Sequence, residues 1–332
     1  MRIAVFDTHR YDREALEHAN AAFGHELCFF EPRLNAQTAE LAGGFDVVCP
    51  FVNDRLDAAA LGVLARAGVR LVALRAAGFN AVDIAEANRL GLRVVRVPAY
   101  SPHAVAEHAF ALLLTLVRKT HRAYGRVRDG NFSLDGLVGF DLHGKTIGIV
   151  GAGRIGQAAI GIARGFGCRT LVYDLGRDTA LAERLGFEYA SMDEVLAQAD
   201  VVSLHLPLTP QSRHLIDTHA IARMKPGALI VNTSRGALID THAVIAALKS
   251  GRLGGVGLDV YELEEGVFFE NLSEAPLQDD QLARLLTFPN VLITSHQGFL
   301  TREALDNIAH TTLANVRAFE RGEALENEVQ LS

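Results

Sequence analysis

Three polar residues directly follow apolar runs long enough to be strands. They are His205 in Ser203-Leu204-His205-Leu206-Pro207, Arg235 in Asn232-Thr233-Ser234-Arg235-Gly236, and His296 in Thr294-Ser295-His296-Gln297-Gly298. Ligands of open α/β sheets bind beyond the carboxyl ends of the strands, so these are the places where such side chains do chemistry. A guanidinium there holds a carboxylate through two parallel hydrogen bonds that lysine does not reproduce, and Arg235 is assigned that task. Histidine is the usual carrier of a proton near neutral pH. Of the 13 histidines, His296 ends a strand beside an expected hinge and is read as an acid/base group. His205 is its competitor and is read, with Leu206 and Pro207, as lining a cofactor. A carboxylate beside an imidazole orients the ring and fixes its tautomer. Glu264, shortly after Asp259-Val260-Tyr261, is placed to do this, with Glu262 and Glu265 as alternatives that spacing alone does not separate.

A cofactor motif lies upstream. Gly151-Ala152-Gly153-Arg154-Ile155-Gly156 follows the apolar run Lys145 to Val150 and opens a stretch with helix-period apolar residues, Ile155, Ala158, Ala159, Ile162 and Ala163. In a G-x-G-x-x-G turn one glycine makes the strand-to-helix turn, one lets backbone approach a pyrophosphate, and one allows close helix packing. The helix N-terminus then faces the phosphates. The next strand, Thr170 to Tyr173, ends at Asp174, whose carboxylate accepts from ribose hydroxyls and repels a 2′-phosphate. This reads as NAD rather than NADP, although Arg177 stands near enough to accommodate a 2′-phosphate.

These residues need two scaffolds. Short strands at Ile3 to Phe6, Leu27 to Phe30, Val47 to Cys49, Leu71 to Leu74 and Val94 to Val95 alternate with helical patterns near Glu14 to Ala22, Ala58 to Arg66 and Ile84 to Leu90. Such alternation means a parallel sheet with helices on both faces. Ser101-Pro102 then makes an N-cap and N1 pair for one long helix, about His103 to Val127. From Lys145 six more strands are expected, at Ile147, Thr170, Val201, Ala228, Val256 and Val291, and a final helix over Thr301 to Arg321 is expected to return to the first domain. The fold class is therefore α/β with two domains. A Rossmann domain over 101–298 is inserted into a flavodoxin-like parallel domain built from 1–100 and 299–332, and two crossovers permit closure. The stretch Tyr261 to Asp280, acidic and carrying Phe268 and Phe269, reads equally as a flap, a subunit contact or a surface excursion.

Composition narrows the function. The chain has 332 residues, 49% hydrophobic and 21% charged, with a net charge of −7. That balance, with basic residues scattered apart from a cluster between Arg118 and Arg128, argues against a nucleic-acid surface. Cys28, Cys49 and Cys168 are widely spaced, which fits a reducing, cytoplasmic setting and neither a disulfide framework nor a metal knuckle, so no metal is expected. No stretch reads as a signal peptide or a membrane span.

Several blocks in order, namely Phe51-Val52-Asn53-Asp54, Leu74-Arg75-Ala76-Ala77-Gly78-Phe79-Asn80, Tyr100-Ser101-Pro102 with Ala106-Glu107-His108, Asn232 to Asp240, Asp259-Val260-Tyr261-Glu262 and His296 to Thr301, resemble the D-specific 2-hydroxyacid dehydrogenase family over nearly the whole chain. Within it the blocks are most similar to the fermentative D-lactate dehydrogenases of Gram-negative bacteria. The resemblance implies that Arg235 binds the substrate carboxylate, His296 is the acid/base and Glu264 its partner. It implies substrate contacts from backbone near Ala77 and Gly78 and from Phe51, Tyr100 and Phe299. It also implies that Asp259 and Thr233, with Ser234 beside them, hold the cofactor. Phe299 stands where some relatives carry tyrosine. The implied reaction is reduction of pyruvate to D-lactate by NADH. Another 2-keto acid such as phenylpyruvate or hydroxypyruvate, or a non-catalytic NAD-sensing protein, are the rivals. A homodimer or homotetramer is expected.

Overall fold

In a computed structural model, which describes residues 1–329, the chain divides into two compact units, Met1–Ser101 with Leu300–Ser332, and Pro102–Phe299. Each boundary lies one residue beyond the expected one, so Ser101 falls in the first unit and Phe299 in the second.

The first unit runs β1 (Arg2–Val5), α1 (Arg10–Asn20), β2 (Glu26–Phe29), β3 (Val47–Cys49), α2 (Ala58–Arg66), β4 (Leu71–Ala73), α3 (Ile84–Arg89) and β5 (Arg93–Val95). Its strands form a parallel sheet in the order β2-β1-β3-β4-β5, the flavodoxin-like arrangement. Successive strand residues point to opposite faces. Ala4, Val48, Val72 and Val94 therefore share one core with Leu61 and Leu64 of α2, while Ile3, Val5, Val47, Leu71 and Val95 face the other side.

The second unit begins at Pro102, the residue type whose missing N–H costs nothing in a first helical turn. The expected single helix is two, α4 (Pro102–Arg118) and α5 (Thr120–Arg128), separated by Lys119 at φ 52°. No glycine or proline signals this break. The apolar face that docks α4 ends at Val117, α5 buries no residue, and the Lys119 ammonium instead donates to the Gly136 carbonyl at 3.0 Å.

There follow β6 (Thr146–Val150), α6 (Arg154–Gly165), β7 (Arg169–Tyr173), α7 (Thr179–Leu185), β8 (Glu188–Tyr189), α8 (Met192–Gln198), β9 (Val201–Leu204), α9 (Thr218–Arg223), β10 (Ala228–Asn232), α10 (Thr241–Lys249), β11 (Leu253–Leu258), α11 (Asp280–Leu286) and β12 (Val291–Ile293). The sheet has seven strands rather than six, in the order β12-β11-β10-β9-β6-β7-β8. The extra strand, β8, is two residues long at the edge, too short to leave an alternating pattern in the sequence. The strand order reverses between β6 and β9, and at such a switch point a ligand crevice opens beyond the strand ends. Ile147, Ile149, Val201 and Val231 pack with α4 and α6 on one face, and Val150, Val202, Leu204 and Ile230 with α8 to α10 on the other.

The last helix, α12 (Arg302–Glu320), is capped by Thr301, whose hydroxyl accepts from the Ala304 N–H. Ala309, Leu313 and Val316 place it against Ile3, Leu71 and Val95 of the first sheet.

Candidate active site

The glycine turn at the end of β6 is built for a close backbone approach. Gly151 has φ 102°, and a Cβ there would overlap the His205 carbonyl at the end of β9. A Cβ on Gly156 would overlap the Gly151 carbonyl, so α6 can start this near the strand only with glycine. On the other side of the turn a Cβ on Gly153 would meet nothing within 4 Å. Gly153 caps α6 without a side-chain acceptor, and among the described residues the N–H groups of Gly153, Arg154 and Ile155 have no acceptor. This is a vacant set of donors at the positive end of a twelve-residue helix. Asp174 lies beside it. Its Oδ2 accepts from Ala152 N at 2.6 Å and its Oδ1 from Gly176 N at 3.0 Å, so the carboxylate fixes the turn and keeps lone pairs for hydroxyl donors.

Two further strand ends present buried polar atoms without partners. His205, 8% exposed, accepts or donates through Nε2 to Ser203 Oγ at 2.8 Å, while its Nδ1 has no hydrogen bond. Burial pushes its pKa down to about 4, so the ring is neutral at physiological pH. Thr233 Oγ1 is likewise buried and unpartnered. Orphaned polar groups of this kind mark places where a ligand completes the bonding. Leu206, Pro207 and Ser234 adjoin them, and Ser234 Oγ donates to the Leu204 carbonyl at 2.8 Å, tying the ends of β9 and β10 together. The residues present therefore fit a dinucleotide: donors for phosphate, a carboxylate for ribose, and polar atoms at the switch point.

The carboxylate beside His296 is resolved among its alternatives. His296 Nδ1 lies 3.0 Å from Glu264 Oε1, and Glu264 Oε2 accepts from Tyr261 N at 3.2 Å. Glu262 turns away to His214 Nε2 at 2.6 Å, Arg213 and the Thr241 hydroxyl, and Glu265 is exposed. With Nδ1–H held by a carboxylate, Nε2 is the nitrogen left for a substrate. His296 adopts φ 50°, an unusual conformation for a residue with a Cβ, and its N–H donates to the Asp259 carbonyl at 2.7 Å.

Asp259 is the anchor of this loop. Its carboxylate, 1% exposed, accepts from Thr294 Oγ1 at 2.6 Å, Gln297 N at 2.9 Å and Gly298 N at 2.8 Å, with His108 Nε2 at 3.1 Å. Burial pushes its pKa up, but these donors more than offset that and hold it below the usual carboxylate range. From sequence Asp259 is expected to hold the cofactor, and His108 carries no expected role. Their spacing of 151 positions carries no local signal that they meet.

Arg235 follows β10 and is half-buried. Among the described residues its guanidinium has one partner, the Ser234 carbonyl at 2.6 Å from Nη1, and pairs with no carboxylate. The loop behind it is fixed: Asn232 Nδ2 donates to the Arg235 carbonyl at 2.9 Å, and Asn232 Oδ1 accepts from Ser234 N at 3.0 Å. A Cβ on Gly236 would overlap the Tyr261 carbonyl group and the Glu262 nitrogen, so the loops carrying Arg235 and Glu264 touch through backbone.

The 261–280 stretch is part of this assembly. Tyr261 and Phe268 are buried, and the Tyr261 hydroxyl donates to Asp279 Oδ2 at 2.8 Å. Phe269, at φ 67°, donates its N–H to Ser295 Oγ at 3.2 Å, and its ring lies 6.1 Å from the His296 ring. Its first part, through Tyr261, Phe268 and Phe269, packs behind the histidine, whereas residues 270–276 are exposed.

In the first unit Phe51 is 4% exposed, and its ring lies 4.9 Å from the buried Arg75 guanidinium, which donates to the carbonyls of Phe6, Asp7 and Cys49 at the ends of β1 and β3. Ala77 and Gly78 lie in the loop after β4, and Tyr100 precedes the crossover, its carbonyl accepting from Asn307 Nδ2 at 2.8 Å. No His/Cys/Asp/Glu cluster suited to a metal occurs among the described residues.

Residues 110–298 match the model of the NAD-binding domain of D-isomer-specific 2-hydroxyacid dehydrogenases. The chain is 50% identical over 329 residues to D-lactate dehydrogenase of Escherichia coli, covering 99% of this chain and 100% of that one. The apo structure of that D-lactate dehydrogenase superposes with a TM-score of 0.92 over 99% of this chain and 100% of the other, at 48% identity. The structure of the pyruvate reductase of Chlamydomonas reinhardtii superposes at 0.93, 46% identical, over 98% of each chain. With half its residues shared end to end and the donors for NAD in place, the chain belongs to the D-isomer-specific 2-hydroxyacid dehydrogenase family.

Proposed function

We propose that the chain catalyses reduction of pyruvate to D-lactate by NADH, reversibly, with His296 as acid/base, Glu264 as its partner and Arg235 as the carboxylate ligand. The observation that carries this reading is the vacant chemistry of one loop cluster: a half-buried arginine without a counter-ion and an imidazole whose Nδ1 is already held by a carboxylate. When bound, the dinucleotide supplies a hydride to the keto carbon. The protein's part is positional and acid–base. Arg235 pairs with the substrate carboxylate and so fixes which face of the ketone is presented. The Nε2–H of His296 gives its proton to the keto oxygen and recovers one from solvent, while Glu264 keeps the ring in place. Thr233 and His205, each with an unpartnered atom, are read as cofactor ligands. Asp259, whose Oδ2 is bonded to a single donor, is read as a further ligand of the cofactor's carboxamide.

The first unit is read as the substrate domain, supplying backbone of Ala77 and Gly78 and the side chains of Phe51 and Tyr100, with Phe299 added from the end of the second unit. Three aromatic residues around a small ketone favour pyruvate over 2-keto acids bearing long polar groups. Pairing with a second copy of the chain is part of the same reading. Tyr124, Val127, Phe132, Leu134 and Val138 are all more than half exposed within one segment, a concentration of apolar surface that a partner subunit would cover. The free thiols of Cys28, Cys49 and Cys168 suit a reducing compartment, the cytoplasm. Steady-state rates with pyruvate, phenylpyruvate and hydroxypyruvate test the substrate. The highest kcat/KM is expected with pyruvate, and a preference for phenylpyruvate would displace it. Failure to oxidise NADH with any 2-keto acid would favour a non-catalytic NAD-sensing role.

A further inference from the structure

We propose that Arg96 is a positioning residue that sets the backbone amides of Ala76–Asn80 to receive the substrate carboxylate. This deepens the reductase reading above and rests on it. The loop after β4 has an uneven use of its backbone. The Ala76 carbonyl accepts from Val97 N at 3.1 Å, and the Ala77 carbonyl from Arg96 Nη1 at 2.9 Å. The five N–H groups from Ala76 to Asn80 have no acceptor among the described residues, although Ala76 to Phe79 are half-buried. Partly buried N–H groups are seldom left unpaired, and a run of them beside carbonyls already bonded is a set of donors available to an anion.

Arg96 is what pins the carbonyl side. Its guanidinium also lies over the Phe79 ring, 5.2 Å from the centroid, so one planar group holds both Ala77 and Phe79. A lysine can donate a hydrogen bond but cannot stack in this way. Arg96 is itself held from behind. Its N–H donates to the Asn327 carbonyl at 3.1 Å, its carbonyl accepts from Asn315 Nδ2 at 3.0 Å, and Asn327 Nδ2 donates to Asn315 Oδ1 at 2.9 Å. Asn315 lies on α12 and is buried. The C-terminal segment thus fixes Arg96, and Arg96 fixes the loop. The sequence held no sign of this, because Arg96 follows a strand without any motif of its own.

The test uses the full chain with NADH bound. It measures kcat and KM for pyruvate, the Kd of NADH by fluorescence, and the Kd of oxamate, a carboxylate analogue of pyruvate, by calorimetry. Arg96→Met is expected to raise the pyruvate KM and the oxamate Kd roughly five- to thirtyfold, about 1–2 kcal/mol, leaving kcat and NADH affinity within about twofold. Arg96→Lys is expected to recover part of this, and Phe79→Leu, which keeps the hydrogen bond and loses the ring, to show a smaller rise. If Arg96→Met fails to fold, the lysine and leucine variants carry the test. Unchanged pyruvate KM and oxamate Kd would overturn the proposal, as would an equal loss of NADH affinity, which marks a general structural defect. If the unmodified chain binds oxamate with NADH but does not reduce pyruvate, the reductase reading falls while the oxamate series still judges Arg96. If it binds neither, both fall.

Discussion

Gly236→Ala should damage the site out of proportion to its size. The residue has no positive φ, so alanine is allowed there on backbone grounds. The obstacle is purely steric: the new Cβ would lie closer than 3.0 Å to the carbonyl carbon and oxygen of Tyr261 and to the Glu262 nitrogen. All three are backbone atoms, with no flexible side chain to move aside. The loops carrying Arg235 and Glu264 must then separate. Overpacking of this kind costs about 1–3 kcal/mol, and at about 2–4 °C per kcal/mol for a unit of this size the melting temperature should fall by roughly 2–12 °C. The kinetic effect should be larger, because Arg235 immediately precedes Gly236 and Glu264 lies three residues beyond Tyr261. Misplacing such groups by about 1 Å costs on the order of a hundredfold, so kcat/KM for pyruvate should fall about that far. Gly161→Ala is the control, at an exposed position inside α6 where a Cβ meets nothing within 4 Å. It should leave kinetics unchanged and stabilise by up to about 1 kcal/mol through helix propensity. Wild-type kcat/KM in Gly236→Ala would show that the contact between the two loops does not set the site's geometry.

Other expectations concern single groups. His296→Gln should lower kcat by about 10²–10⁴ with little change in the Kd of NADH, since the proposed proton donor is lost and no proposed cofactor ligand is touched; fluorescence titration alongside turnover separates the two. Arg235→Lys should act mainly on the KM for pyruvate, through loss of a two-point pairing. Asp174→Ala should narrow the preference for NADH over NADPH at least about tenfold, and should also weaken NADH, because the carboxylate holds Ala152 N. His205 gives a pH effect on stability. Its folded pKa of about 4 lies below the 6.5 of the free side chain, so the unfolded chain takes up a proton first. Stability is present above about 6.5 and declines by up to a few kcal/mol as pH falls toward 4. Urea midpoints at pH 7 and pH 5 should diverge less in His205→Leu than in the unmodified chain; equal divergence would remove His205 from this role.

Most strands were legible because buried parallel strands are short runs of β-branched and aliphatic residues between turn signals, as at Val47–Cys49 and Val201–Leu204. The glycine turn was legible because each glycine answers a separate steric demand. What remained hidden depended on tertiary contact. Nothing local distinguishes Glu264 from Glu262 or Glu265, and the choice is made by where the loop places His296 and His214. The break at Lys119 follows from the loss of an apolar face rather than from a helix breaker, and β8 is too short to show periodicity. Asp259 offered only its type; its set of donors comes from α4 and the loop after β12.

The assignment of Arg235, Glu264 and His296 to reduction of a 2-keto acid is tested most directly by NADH oxidation with pyruvate, followed by optical resolution of the product. D-lactate formed in equal amount to the NADH consumed is expected. L-lactate, or no oxidation of NADH with pyruvate, would contradict it.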